Sequence, residues 1–176
     1  MPAAPTKPRV VIGGVGHLYQ GDLDLGRVAI DRLARDDLGE GVAVEDFSYG
    51  AVAVVQRLEE LAPEALVLVG ATSRGRPPGA VERREVAILP RSPEEIQTAV
   101  ADAVTGYLDL DLVVEVAHGL EALPRRVVTI EVEPARTDPS EQLSSEAERG
   151  LLEAIALVRT EVARLRQATS SSSPRF

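Results

Sequence analysis

The residues of this chain best suited to chemistry are two histidines and a few aspartates that stand near glycines. The chain has no cysteine, which excludes thiol nucleophiles and thiolate metal sites, so a transition metal would need imidazole and carboxylate donors. His17 lies in a glycine-rich stretch and precedes Asp22 and Asp24. These three side chains could bind a metal, transfer a proton or contact a partner. His118 falls late in a predicted helix, where we expect no special role.

Each member of this group also has a purely structural interpretation. His17 could be hydrogen-bonded to neighbouring backbone. Asp22 could cap a helix that starts near Leu23, and Asp24 could be a favourable charge in its first turn. The surrounding glycines could let a ligand or peptide approach the backbone. Their spacing matches neither a dinucleotide-binding fingerprint nor a phosphate-binding loop.

Two further loops carry polar residues with open interpretations. Asp46 is either a cleft carboxylate or a turn-forming residue ahead of a glycine. Arg74 and Arg76 could clamp a carboxylate such as a peptide C-terminus, or simply lie in a solvated turn. Glu131 interrupts an apolar run and needs a partner if it is buried. No serine triad is evident, because His17 alone could support a loop serine.

Strand and helix patterns alternate along the chain, which predicts a three-layer α/β sandwich around a mostly parallel sheet of five or six strands, as in phosphorylase- and hydrolase-like folds. Ligand sites in such folds lie at the carboxyl ends of the strands. The predicted strands are Arg9–Ile12, Val42–Phe47, Ala65–Val69, Val81–Leu89 and Arg126–Val132. The predicted helices are Leu25–Leu38, Val52–Leu61, one starting at Ser92, Leu108–Leu123 and Ser144–Arg166, the last with a capping box formed by Ser145 and Glu148.

Length and composition indicate one domain. We expect a flexible lead over residues 1–8, a single α/β domain over 9–167 and a disordered Ser-rich tail over 168–176. The formal net charge of −9 and the aromatic content of 3% argue against nucleic-acid partners and anionic membrane surfaces. No apolar run is long enough for a membrane helix and no secretory signal is visible, so we expect a cytoplasmic protein.

Five segments, taken in order, resemble the nickel-iron hydrogenase maturation endopeptidases. The loop at 14–26 is similar to that family's opening motif, with His17 in place of an asparagine and Asp22 as the first of two acids. Residues 45–50 resemble its second strand and loop, and residues 65–79 resemble its third strand with a Pro-Gly turn. Residues 123–134 resemble a strand ending in Glu-Pro, and residues 142–144 resemble the start of its last helix.

The resemblance implies three metal ligands, and none is matched here. The corresponding positions are Leu23, Gly70 and Gly106, which carry no donor side chain. His17 and Asp22 are weak replacement candidates, and Asp24 could be a displaced acid.

The resemblance also implies a function. We expect a hydrogenase maturation protease-like protein that acts on or binds a hydrogenase large-subunit precursor, with a degenerate metal site. If active, it would remove a C-terminal peptide from that subunit. No tightly bound cofactor is implied, although the partner would present nickel. The alternative is a noncatalytic assembly chaperone or protein-binding module of the same fold.

Overall fold

A computed structural model describes residues 6–104 and 108–170, with the side chains of the last two excepted. The strands are β1 (Val10–Gly14), β2 (Val42–Asp46), β3 (Ala65–Ala71), β4 (Val81–Glu85) and β5 (Arg126–Val132). The helices are α1 (Leu25–Leu33), α2 (Ala51–Leu61), α3 (Pro93–Ala103), α4 (Leu110–Gly119) and α5 (Ser145–Ser170), and a 3-10 turn, Gly21–Asp24, precedes α1.

The five strands form one mostly parallel sheet in the order β2-β1-β3-β5-β4. β1 pairs in parallel with β2 and β3, and β3 with β5, whereas β4 is an antiparallel edge strand. β1 and β3 are buried throughout almost their whole length, as expected for central parallel strands covered on both faces. The predicted fold class is confirmed.

Two apolar cores lie on opposite faces of the sheet. One contains Leu33 of α1 and Leu151 of α5 against Ile12 and Val67. The other packs residues of α2 and α4, with Ala99 of α3, against alternate positions of the same strands. Because side chains alternate across a strand, one set of strands supplies both cores, which produces the three layers.

Local signals fix the ends of several helices. The predicted cap of α3 is confirmed, since Ser92 Oγ accepts from the Glu95 amide at 3.2 Å and Glu95 Oε2 accepts from the Ser92 amide at 2.8 Å. The predicted cap of α5 is wrong by one residue. Ser144 Oγ accepts from the Ala147 amide at 3.1 Å, so Ser144 caps this helix.

Helix α5 continues to Ser170, so the first three residues of the predicted disordered tail are helical. No proline occurs in the helix before that point, and its one glycine, Gly150, packs closely against Val132 and the Gly79 carbonyl. None of the helices in the described parts of the chain is long and apolar enough to cross a membrane.

Candidate functional site

The strand order changes direction at β1, whose neighbours β2 and β3 lie on opposite sides, and this places the expected crevice at the carboxyl ends of β1 and β3. The loops there are held together by hydrogen bonds. The Val15 amide donates to the Val69 carbonyl at 3.0 Å, and the Gly16 amide donates to Ser48 Oγ at 3.0 Å. The loops after β1 and β2 therefore lie side by side.

The glycines of the first loop serve packing within the protein. A Cβ on Gly14 would overlap Ile30 and the Gly26 carbonyl, and one on Gly26 would overlap the backbone of Val15. A Cβ on Gly16 would lie 3.1 Å from the Asp24 carbonyl oxygen. The expectation that these glycines open the backbone to a ligand is thus wrong, because the start of α1 fills the space.

His17 is half-buried and reaches across the crevice. Its Nε2 is hydrogen-bonded to the Leu108 carbonyl oxygen, just before α4, and its amide donates to the Leu23 carbonyl at 2.9 Å. The ring thus bonds to backbone that is remote in sequence, whereas the structural interpretation expected neighbouring backbone. His118 lies in the last turn of α4, about 12 Å along the helix axis from Leu110 at its start, given a rise of 1.5 Å per residue.

Asp22 is fully buried and binds the segment that leads into α5. Its Oδ2 accepts from the amides of Ala135 and Arg136 at 2.8 and 3.0 Å and from Ser144 Oγ at 2.7 Å, while Oδ1 accepts from the Ser144 amide. Burial alone would raise the pKa of Asp22, but these hydrogen bonds bring it below its ordinary value. The interpretation as a helix cap is wrong, because the acceptors are engaged by a loop more than 110 residues away.

Asp24 and Asp46 lie close enough to interact electrostatically, with Arg27 near both. Asp24 Oδ1 accepts from Arg27 Nε at 2.7 Å. Burial raises the pKa of Asp24 in spite of this pair. Asp46 is exposed, and its Oδ1 accepts from the Ser48 amide at 2.9 Å, which is the geometry of a turn-forming aspartate.

Neither of the described positions that match the family's metal ligands, Leu23 and Gly70, carries a donor side chain. A Cβ on Gly70 would lie 2.8 Å from the Val15 carbonyl oxygen and 3.2 Å from Leu110 Cγ. Leu110 is buried and Leu23 is half-buried, while Gly106 lies outside the described residues. Within residues 6–104 and 108–170, no group of three or more histidine, aspartate or glutamate side chains is arranged to hold a metal. The described side chains at this crevice therefore do not fit a nickel site.

Arg74 and Arg76 bind the protein's own glutamates. Arg74 forms a two-point pair with Glu131, from Nε at 3.1 Å and Nη2 at 2.9 Å, and Arg76 Nη2 donates to the same carboxylate at 3.2 Å. Glu133 accepts from the amides of Arg74 and Gly75 and from Arg76 Nε. The clamp predicted for a partner's carboxylate is therefore filled from within the chain.

Glu131 is the centre of this cluster. Its side chain is 1% exposed, and Arg84 contributes a third guanidinium at 3.3 Å. Burial would raise the pKa of Glu131, but Arg74, followed by Arg84 and Arg76, lowers it below its ordinary value. Three arginines thus supply the charged partners that a buried glutamate requires. Glu133 was missed in the sequence, although its place two residues after Glu131 on the same face was a usable signal.

Large apolar side chains are exposed on the loops that border the crevice. They are Leu18 and Tyr19 after β1, and Tyr49 and Val52 after β2, with exposed fractions between 43% and 57%. Tyr19 has a left-handed backbone with φ of 64°, which is uncommon for a tyrosine. The Ser140 amide donates to its carbonyl at 3.0 Å, so the loop that Asp22 organises also supports this conformation. No periodic pattern in the sequence marks these residues.

Comparison with solved structures agrees with this architecture. The chain is 24% identical to a hydrogenase 2 maturation peptidase from a Thaumarchaeota archaeon, with a TM-score of 0.64 over 88% of this chain and 97% of that one. The hydrogenase maturating endopeptidase HybD from E. coli is 17% identical, with a TM-score of 0.66 over 91% and 93%. The maturation protease HycI from Thermococcus kodakarensis is 21% identical, with a TM-score of 0.63 over 90% and 95%.

The chain has the fold of the hydrogenase maturation proteases. The resemblance noted in the sequence is confirmed at that level. No protein-family model matches the sequence, and no curated protein matches it significantly.

Proposed function

We propose that this protein binds a hydrogenase large-subunit precursor in the cytoplasm as an assembly factor and does not cleave it. The observation that carries the proposal is a maturation-protease fold over most of the chain whose crevice, at Gly70, is occupied by Val15 and Leu110. Fold likeness favours a partner of that class. The loss of donor side chains removes the means of holding an ion there. Any nickel would be cargo presented by the partner.

The binding surface in this proposal is the rim of the crevice. Tyr19 and Tyr49 are more than half exposed, and aromatic side chains of this kind contribute strongly to protein interfaces. The left-handed backbone of Tyr19 has a cost that the loop around Ser140 offsets, which favours a role in recognition. The exposed carboxylate of Asp46 adds negative charge at the same edge, whereas Asp24 is paired with Arg27.

The test combines the purified protein with candidate precursors and follows both complex formation and mass. We expect co-elution in size-exclusion chromatography with no loss of a C-terminal peptide by intact-mass spectrometry. Tyr19→Ala with Tyr49→Ala should weaken the complex at least tenfold. Leu89→Ala is the control, since Leu89 is also more than half exposed but follows β4, the edge strand farthest from β2. A precursor that loses mass would contradict the noncatalytic assignment. Failure of every precursor to bind would contradict the proposed class of partner.

A further inference from the structure

A basic groove runs along the amino edge of the sheet, opposite the crevice. It consists of two hollows that share Arg9. One, of about 920 Å³, is lined by Lys7, Arg9 and Arg166, and the other, of about 660 Å³, by Arg9, Arg125 and Arg126. Lys7 and Arg9 precede β1, Arg125 and Arg126 lie at the start of β5, and Arg166 lies in the last part of α5. Glu64 and Ala65 at the start of β3 also line the groove, which therefore passes the amino ends of β1, β3 and β5. We call this feature the amino-edge groove.

The amino-edge groove has the opposite charge to the molecule. Its walls carry these five cationic side chains and two carboxylates, those of Glu40 and Glu64, whereas the whole chain has a formal net charge of −9. An excess of one sign of charge in a concave surface concentrates the local potential. The groove is therefore suited to an anionic partner.

Four of these cations have no carboxylate partner in the part of the chain that the structure describes. Lys7, Arg9, Arg125 and Arg126 are exposed and form no ion pair within the described residues. Arginines elsewhere, such as Arg57 and Arg83, pair with carboxylates of their own chain. Guanidinium groups that lack an internal carboxylate remain available for two-point pairing with an external one.

The wall of the groove also has apolar groups. Pro63, Leu123 and Pro124 line the same hollow as Arg125 and are half-buried. A ligand that carries only charge would leave this surface uncovered. A chain that alternates carboxylates with aliphatic side chains would meet both the cations and the apolar wall.

We propose that the amino-edge groove binds an acidic peptide segment of a partner protein, with its carboxylates on Arg9, Arg125 and Arg126 and its aliphatic side chains on Leu123 and Pro124. This site is independent of the crevice, because it lies at the other edge of the sheet. A nucleic acid fits less well. Glu40 and Glu64 interrupt the cationic walls and would repel a continuous row of phosphates, and described aromatic side chains for base stacking are absent from the lining of the two hollows.

The experiment measures fluorescence anisotropy of a fluorescein-labelled peptide, Glu-Glu-Leu-Glu-Glu-Leu-Glu-Glu, titrated with the full chain at low salt. We expect saturable binding that weakens with added salt and is lost when glutamine replaces every glutamate. The double variant Arg125→Ala with Arg126→Ala should bind the peptide at least tenfold more weakly than the wild type. The single variant Arg9→Ala should bind it about threefold more weakly. Arg149→Ala is the matched control, because Arg149 is an exposed arginine near the other end of α5 and should bind like the wild type.

Three outcomes would overturn the proposal. The first is equal binding of the glutamate peptide by the double variant and the wild type. The second is tighter binding of an oligothymidylate than of the peptide, with loss in the double variant, which would assign the groove to a nucleic acid. The third is a concentration-dependent dimer in sedimentation that the double variant abolishes, which would make a second copy of this chain the occupant.

Discussion

At the scale of single residues, Glu131 tests whether the cluster on β5 is a stabilising unit. Glu131→Gln keeps the shape but removes the charge that faces Arg74, Arg76 and Arg84. We expect the free energy of unfolding to fall by about 3 kcal/mol, because breaking a buried ion pair leaves charge without compensation. Urea denaturation at neutral pH measures this loss.

The matched variant on the other side of the cluster is Arg84→Ala. Arg84 is about half exposed and makes one long contact with Glu131, so its removal should cost less than about 1 kcal/mol. If both variants lost the same amount, burial of Glu131 would not be the source of the effect.

Asp22 supports a second prediction at this scale. The two carboxylate oxygens of Asp22 accept four hydrogen bonds, and Asp22→Asn would leave only one oxygen to accept them. The new side-chain NH2 would face the backbone N–H groups of Ala135, Arg136 or Ser144. We expect a loss of about 2 kcal/mol in unfolding free energy and faster hydrogen exchange at the Ala135 and Arg136 amides. The exposed Asp46→Asn, which affects one hydrogen bond, should leave those amides unchanged. Unaltered exchange in the Asp22 variant would refute its role as the organiser of this loop.

At the scale of elements, the sequence predicted what local chemistry controls. Strand β3 lies where the continuous apolar run from Ala65 indicated it, and β5 has the predicted bounds Arg126–Val132. The predicted first helix is too long, because α1 ends at Leu33. Leu38 still packs against the core, but Asp37 Oδ1 accepts from the Gly39 amide at 3.1 Å, and this local bond favours a turn over helix. The spacing of apolar residues alone could not distinguish burial of Leu38 by a longer helix from its burial by a turn.

The contact of α1 with β1 gives a prediction for the glycine-rich loop. Gly26→Ala would force a Cβ into the Val15 backbone, so α1 would have to move off the sheet. We expect the free energy of unfolding to fall by at least 3 kcal/mol, or the variant to fail to fold, because the obstructing atoms are backbone and not a flexible side chain. Gly75→Ala is the control: it has a positive φ of 76° but open space, so it should cost about 1 kcal/mol. Thermal unfolding of both variants distinguishes a packing role from conformational freedom, since equal losses would argue against packing.

At the scale of the whole molecule, topology was more predictable than the site. Alternation of strands and helices was enough to place His17, Asp24 and Asp46 at one edge. It could not show that Asp22 turns away to a loop 122 residues later at Ser144, or that Arg74 meets Glu131 across 57 residues. Such pairs depend on which strand tips become neighbours, and no local pattern encodes that. The exposed rim at Tyr19 and the amino-edge groove likewise become visible only when distant segments are assembled.

The paired acids together set how the whole fold responds to pH. The pKa values of Asp22, Glu131, Glu133 and Glu161 lie below their ordinary values of 3.8 and 4.5, so the folded state binds fewer protons than the unfolded chain as acid is added. Their stabilisation is complete above those ordinary values and is lost as the pH falls through them towards the lower folded-state values. Burial raises the pKa of Asp24, so this group acts in the opposite direction, but it is a single carboxyl group against the four named above.

We therefore expect the free energy of unfolding to be nearly constant between pH 7 and pH 6 and to fall steeply between pH 5 and pH 3, estimated from the ordinary carboxyl pKa values. Urea denaturation across this range measures the slope. Glu131→Gln should be less stable at pH 7 but have a shallower slope, because one depressed carboxyl no longer titrates. Glu153→Gln, on the exposed face of α5, should keep the wild-type slope. Parallel curves for the wild type and Glu131→Gln would mean that the arginines around Glu131 contribute to stability without coupling it to pH.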